Sequence, residues 1–184
     1  MTRKTVRRTV SALGVLVLTG ALAACGGGRP GAAAVVDGRS ISTADVEDAM
    51  RDFGDVLGYP RVAVLSALID QPVVQAMAEE NGVAVSDDQA EAALREVRES
   101  SGADRDAALS TAAIEVTRYA LELTALGEAL GQDVVTADVA AATADRDLVV
   151  NPRYGDVGEG GALTSPGTYS WLVPADGATT TPAP

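Results

Sequence analysis

Gly82-Val83-Ala84-Val85-Ser86-Asp87-Asp88-Gln89 closes one helix and opens the next. Gly82, directly after Asn81, is a stop signal, because glycine takes the left-handed conformation at a helix C-terminus without a Cβ penalty. Ser86 with Gln89 three places on forms a capping box: the hydroxyl accepts from the Gln89 amide, and the Gln89 side chain returns to the Ser86 amide. Upstream, Leu65, Leu68, Ile69, Val73 and Met77 make one apolar stripe over a helix from about residue 61 to residue 81. Pro72 interrupts it, since proline removes an amide and crowds the preceding turn, and predicts a kink or a break into two helices. Downstream, Ala90, Ala93, Leu94 and Val97 face inward, while Glu91, Arg95 and Glu99 are spaced for surface ion pairs.

The same grammar extends outward in both directions. Ser42 and Asp45 form an N-cap signature with Ile41 stapled against Val46. Val46, Met50, Phe53 and Leu57 follow as a stripe, with Glu47, Asp48, Arg51 and Asp52 on the wet side, and Gly58 and Pro60 close the helix. Before it, Val35, Val36 and Ile41 flank an Asp37-Gly38 turn that reads as a short strand turning sharply. Beyond Ser101-Gly102 a short helix is predicted from Asp104. A longer one runs from Ser110 to Leu130, apolar over more than half its circumference through Ile114, Val116, Tyr119, Leu121, Leu123, Leu126 and Leu130, and therefore central. Thr136-Ala137-Asp138-Val139 echoes the start at Thr43-Ala44-Asp45-Val46 and predicts a weak helix to about Asp147. Leu148-Val149-Val150 then reads as a strand, confined by Pro152 to a sheet edge or a strand end. With aromatics at only 3% and alanine abundant, the expected fold is mainly α, with small side chains between close-packed helices.

The two ends read differently from this body. Arg3, Lys4, Arg7 and Arg8, an apolar run from Val10 to Leu18, and Leu22-Ala23-Ala24-Cys25 follow the order of a cleaved export signal. The run is too short to span a bilayer core of roughly 30 Å. Leu-Ala-Ala-Cys resembles the bacterial lipobox, which implies a lipid-modified Cys25 at the mature N-terminus and anchoring to the extracytoplasmic face of the cell membrane. The expected organisation is a signal at 1–24, a flexible tether at 25–31, a helical domain at 32–155 and a Pro-, Gly- and Thr-rich disordered tail at 156–184. One apolar knot, Tyr169-Ser170-Trp171-Leu172-Val173, stands in that tail. Leaving it in water costs roughly 1.5–3 kcal/mol per large side chain that could be buried, so a cover is expected: the domain itself as a flap, or a binding cradle that the knot enters as a tethered pseudo-substrate, the remaining alternative being a plainly disordered end.

Charge and residue types narrow the function. The net charge is −12, and without the four basic residues of the signal 10 Arg face 26 acidic residues, or −16. Such a chain is repelled by nucleic acid, and no nucleic-acid partner is expected. There is no His, Cys25 is the only cysteine, and the only lysine, Lys4, lies in the signal. Ser-His-Asp and Cys-His catalysis, zinc sites and Schiff-base chemistry are therefore not expected, nor is any metal or cofactor. Asp87-Asp88 and Asp145 match no calcium loop. The carboxylates show no apolar or paired setting that would raise a pKa, so no enzyme is expected.

Ala33-Ala34-Val35-Val36-Asp37-Gly38, Ile41-Ser42-Thr43-Ala44-Asp45-Val46, Leu68-Ile69-Asp70-Gln71 and the Gly82 to Gln89 run together resemble the N-terminal chaperone domain of SurA-type periplasmic foldases, over about residues 32–139. Pro72 departs from that family's uninterrupted helix. The parvulin prolyl-isomerase module, of order 100 residues, has no counterpart, and none of its active-site residues carries over. The resemblance implies that residues 148–154 return to pair with residues 34–37 as a two-stranded antiparallel ribbon against the helices. It also implies a lipid-anchored holdase for unfolded or partly folded exported polypeptides, without isomerase activity. The alternative is a structural or adaptor lipoprotein holding one specific folded partner at the cell envelope. Cys25→Ser should block lipid processing and leave the uncleaved precursor; an unchanged mature N-terminus by mass spectrometry would overturn the lipoprotein reading.

Overall fold

Asp37 and Gly38 both have positive φ, 49° and 81°, the geometry of a two-residue turn whose twist matches the strands it joins. It connects β1 (Ala32–Val36) to β2 (Arg39–Ser42), which pair antiparallel with Val36 opposite Arg39. The computed structural model describes residues 29–53 and 58–165; Cys25, Leu57 and Trp171, on which three of the sequence readings fall, lie outside them.

The chain is mainly α-helical. Five helices follow β2: α1 (Thr43–Phe53), α2 (Arg61–Glu80), α3 (Asp87–Ser100), α4 (Thr111–Leu130) and α5 (Gln132–Thr143). Both capping boxes form. The Ser42 amide donates to Asp45 Oδ2 at 2.9 Å and the Asp45 amide to Ser42 Oγ at 3.0 Å. The Ser86 amide donates to Gln89 Oε1 at 2.9 Å and the Gln89 amide to Ser86 Oγ at 3.3 Å. α4 is the central helix, packed against α1, α2, α3 and α5. It closes the main core of Val46, Phe53, Leu65, Leu68, Leu94, Ala113 and Val116 at one end, and a second cluster of Val74, Ala78, Leu126 and Val135 at the other.

After α5 the chain returns as β3 (Leu148–Val150), antiparallel to β1 with Ala34 opposite Val150. The expected pairing of the returning segment with β1 is present. Because β2 takes the other side of β1, the sheet has three strands in the order β2-β1-β3. Its open end is closed reciprocally, the Asp37 amide donating to the Asp147 carbonyl at 2.9 Å and the Asp147 amide to Asp37 Oδ1 at 3.0 Å. The first part of the expected tail is ordered into structure: β4 (Asp156–Val157), a 3₁₀ turn (Glu159–Gly161) and β5 (Leu163–Thr164) form a small hairpin packed on α2 and α5. Gly155 permits this docking, since a Cβ there would stand 2.5 Å from the Thr164 carbonyl oxygen and 3.3 Å from Val62.

Five sequence expectations need correction. α2 is not broken at Pro72 but runs through it as one helix. The missing amide leaves the Leu68 carbonyl without its partner one turn on, and Arg39 Nη2 donates to it instead at 3.1 Å. The next carbonyl, that of Ile69, accepts from Arg146 Nη1 at 3.0 Å. Asp52 is buried rather than on the wet side; its Oδ2 accepts from the Ser110 amide at 2.6 Å, and its carbonyl accepts from Arg98. No helix starts at Asp104. Carbonyls that a helix there would use, those of Asp104, Arg105 and Ala107, accept instead from Arg98 and Arg95 on α3. The predicted start at Thr136 is also misplaced, because α5 begins at Gln132 and Thr136 Oγ1 donates back to the Gln132 carbonyl at 2.8 Å. Of the two predicted ion pairs on α3, Glu91–Arg95 forms at 2.7 Å, whereas Glu99 pairs with Arg105.

If Arg39 substitutes for the amide absent at Pro72, the two residues are energetically coupled. Arg39→Ala should cost about 1 kcal/mol, the net worth of one hydrogen bond at a partly exposed site. Pro72→Ala, which restores an amide, should gain more stability in the Arg39→Ala background than in the native chain. Equal gains in the two backgrounds, measured by urea unfolding, would show that the Arg39 contact does not compensate for the proline.

Candidate functional site

α4 presents Val116, Tyr119, Ala120, Leu123 and Thr124 at helical spacing to α2, which answers with Val62, Ala63, Ser66 and Ala67. The alanines leave the two helices separated on this side by a groove of about 560 Å³, with Tyr59 at one end and Leu163 of β5 on its border. Among the described residues no charged side chain lines it. Ala120 is exposed within it, Tyr119 and Leu123 are half-buried, and Tyr59 is 44% exposed while its ring meets Phe53 edge-on at 6.2 Å.

A second hollow of about 300 Å³ shares Ser66, Tyr119, Leu123 and Leu163 with the first and continues it between α2 and α5, past Ile69, Asp70, Val135, Thr136 and Val139. Asp70 is the one charged residue on this wall. Burial raises its pKa, and Arg146, whose Nη1 is 3.4 Å from Asp70 Oδ1, opposes the rise. Tyr119 is raised in turn by burial and by the Asp70 carboxylate.

Behind the groove lies a polar layer. On α2, Gln71 is buried between Ile69 of the main core and Val74 of the second cluster; on α4, Glu122 stands between Val116 and Leu126. The Gln71 amide oxygen faces Arg118 Nη2 at 2.7 Å and Nε at 3.2 Å, and Arg118 also pairs with Asp87 at the start of α3. Glu122 is fully buried. Its Oε1 accepts from the Val85 amide at 3.1 Å, and its Oε2 has no hydrogen-bond partner among the described residues. Burial pushes its pKa up, against the Val85 hydrogen bond and Arg118, which pull it down. The expectation that no carboxylate has an apolar setting that raises its pKa is therefore wrong for Glu122 and Asp70. What periodicity could not give is the tertiary packing of α2, α3 and α4 that removes water from them.

Cys25, the expected lipidation site, lies outside the described residues. Among the described residues no three acidic side chains converge as a metal site, and Asp87, set aside above as a calcium ligand, is engaged by Arg118. α2 is long and apolar enough to cross a membrane by length and composition, yet it carries Val64, Leu65, Leu68, Ile69 and Val74 into the core. No family model, curated protein or solved structure matches the chain. The groove residues were not named from the sequence. The available signal was the apolar circumference of α4, which exceeds what one neighbouring helix can cover.

Glu122 gives the site's scaffold a definite pH response. A carboxyl whose pKa is higher folded than unfolded makes the folded state the better proton binder, so its contribution is fully present below the unfolded value, about 4.3, and is lost as pH rises through the folded value. Glu122→Gln keeps an acceptor for Val85 without the charge. It should match the native stability near pH 4 and exceed it at neutral pH, whereas Glu122→Ala should cost about 2–3 kcal/mol through a cavity and an unpaired amide. Parallel pH profiles of thermal unfolding for the native and Gln proteins would contradict this assignment.

Proposed function

We propose that this chain is a lipid-anchored extracytoplasmic holdase that binds unfolded or partly folded exported polypeptides in the α2–α4 groove and has no prolyl isomerase activity. The observation that carries the reading is the groove wall: Val62, Ala63, Tyr119, Ala120 and Leu123, largely apolar, partly open to solvent and, among the described residues, joined by no charged side chain. A wall of this kind gains from burying any apolar side chain and imposes few directional hydrogen bonds, which suits clients of varied sequence. The resemblance of residues 32–139 to the SurA-type chaperone domain supports the same reading, as does the return of β3 to β1, the connection which that family makes around its isomerase module. A lipid on Cys25 would hold the domain at the membrane surface, where exported chains emerge.

Ala120→Arg places a charge in the groove at an exposed helix position, where arginine is well tolerated. It should abolish suppression of the aggregation of several unrelated unfolded proteins while leaving the helical fold intact by circular dichroism; a variant as effective as the native chain would exclude the groove as the client site. Recovery by crosslinking of one folded partner, with no suppression of aggregation, would instead support the structural adaptor. A protease-coupled peptide assay should show no isomerisation above buffer.

A further inference from the structure

The last described strand delivers the chain to the groove. Leu163 of β5 borders both hollows, and the described structure ends two residues later at Ser165. From there the sequence continues for nineteen residues, and the apolar cluster Tyr169-Ser170-Trp171-Leu172-Val173 begins four residues on. Four extended residues reach at most about 14 Å, so the cluster begins within that distance of Ser165, and Leu163, two residues before Ser165, lines the groove. The two are also matched in charge. Residues 166–184 hold a single charged side chain, Asp176, placed after the cluster, and the main groove is lined by none.

We propose that the segment 169–173 is the groove's resident occupant, laid between α2 and α4 with Trp171, the only tryptophan, filling the space beside Ala63 and Ala120. The short tether is what makes this segment the preferred occupant. A ligand held by a few residues is present at an effective concentration of order millimolar, far above that of any free polypeptide of similar composition. An external apolar segment then binds only in competition with the tail. This docking does not depend on the holdase reading, which concerns what replaces the tail.

The test is site-specific photocrosslinking in the full, lipid-processed chain, in membranes of the expressing cells, with benzoylphenylalanine in place of Trp171 and mass spectrometry of the crosslinked peptides. Crosslinks from position 171 to the α2 peptide containing Val62, Ala63 and Ala67, or to the α4 peptide containing Tyr119, Ala120 and Leu123, are expected. Ala120→Arg should abolish them, whereas Ala129→Arg, on an exposed part of α4 outside the groove, should not. Crosslinks only to another face of the domain, to a second copy or to a different protein, or no crosslink to α2 or α4, would each overturn the proposal. A crosslink that forms as expected but is not competed by any unfolded polypeptide leaves the docking established and counts against the holdase reading alone.

Discussion

Pro72 has no amide proton, and a carbonyl in the middle of a buried helix cannot be left without a donor at no cost. The donor at Leu68 comes from Arg39 on β2, and the Ile69 carbonyl beside it takes Arg146, which lies just before β3. Two arginines on opposite sides of the three-stranded sheet therefore grip adjacent carbonyls of α2. A sheet of such short strands is marginal by itself. Here its outer strands β2 and β3 are each tied to α2, and β1 between them is buried through Ala33, Ala34 and Val36. The proline that departs from an ordinary core helix is the feature that lets the sheet be fastened.

The second organising constraint is α4, which divides the interior into two apolar clusters with a polar layer between. A buried charge usually costs more than it contributes unless its partners are well placed. Arg118 meets this condition through Gln71 and Asp87. For Glu122, burial favours the uncharged acid, while Oε1 accepts from the Val85 amide in either form. Residues 83–85 are the extended link between α2 and α3, and this single contact fixes where that link crosses α4. The polar layer sets which parts of α2, α3 and α4 face one another, and hence where the groove opens.

The elements legible in the sequence were those whose determinants are local. Both capping boxes, the stop at Gly82 and the Asp37-Gly38 turn are decided within four residues, and each forms where the residues indicate. What was not legible depends on partners far away along the chain. Asp52 has the periodicity of a solvent-facing residue, yet a backbone amide 58 positions later turns it inward. The segment from Asp104 has a helix-start composition, but arginines of α3 occupy the carbonyls that a helix would need. Pro72 was read as a breaker because nothing within one turn of it reveals Arg39. The apolar excess of α4 indicated a packed central helix but not which part of its surface would stay uncovered, since that depends on alanines of α2 meeting alanines of α4.

The contacts that hold the fold also set the chemistry of the groove. Asp70 is the only charge on its far wall, and a free carboxylate there would repel an apolar segment by keeping water in the hollow. Arg146, already committed to the Ile69 carbonyl, lies within ion-pair distance of the same Asp70, and burial further favours the uncharged acid. The arginine that fastens β3 to α2 thus also balances the carboxylate on this wall, by pairing with it. The main groove is a surface defined by volume and by the small side chains of its walls, so an occupant there would be favoured by local concentration rather than by directional contacts. A segment covalently held at its rim has that advantage by construction, and any ligand from outside must compensate for it with a larger apolar surface.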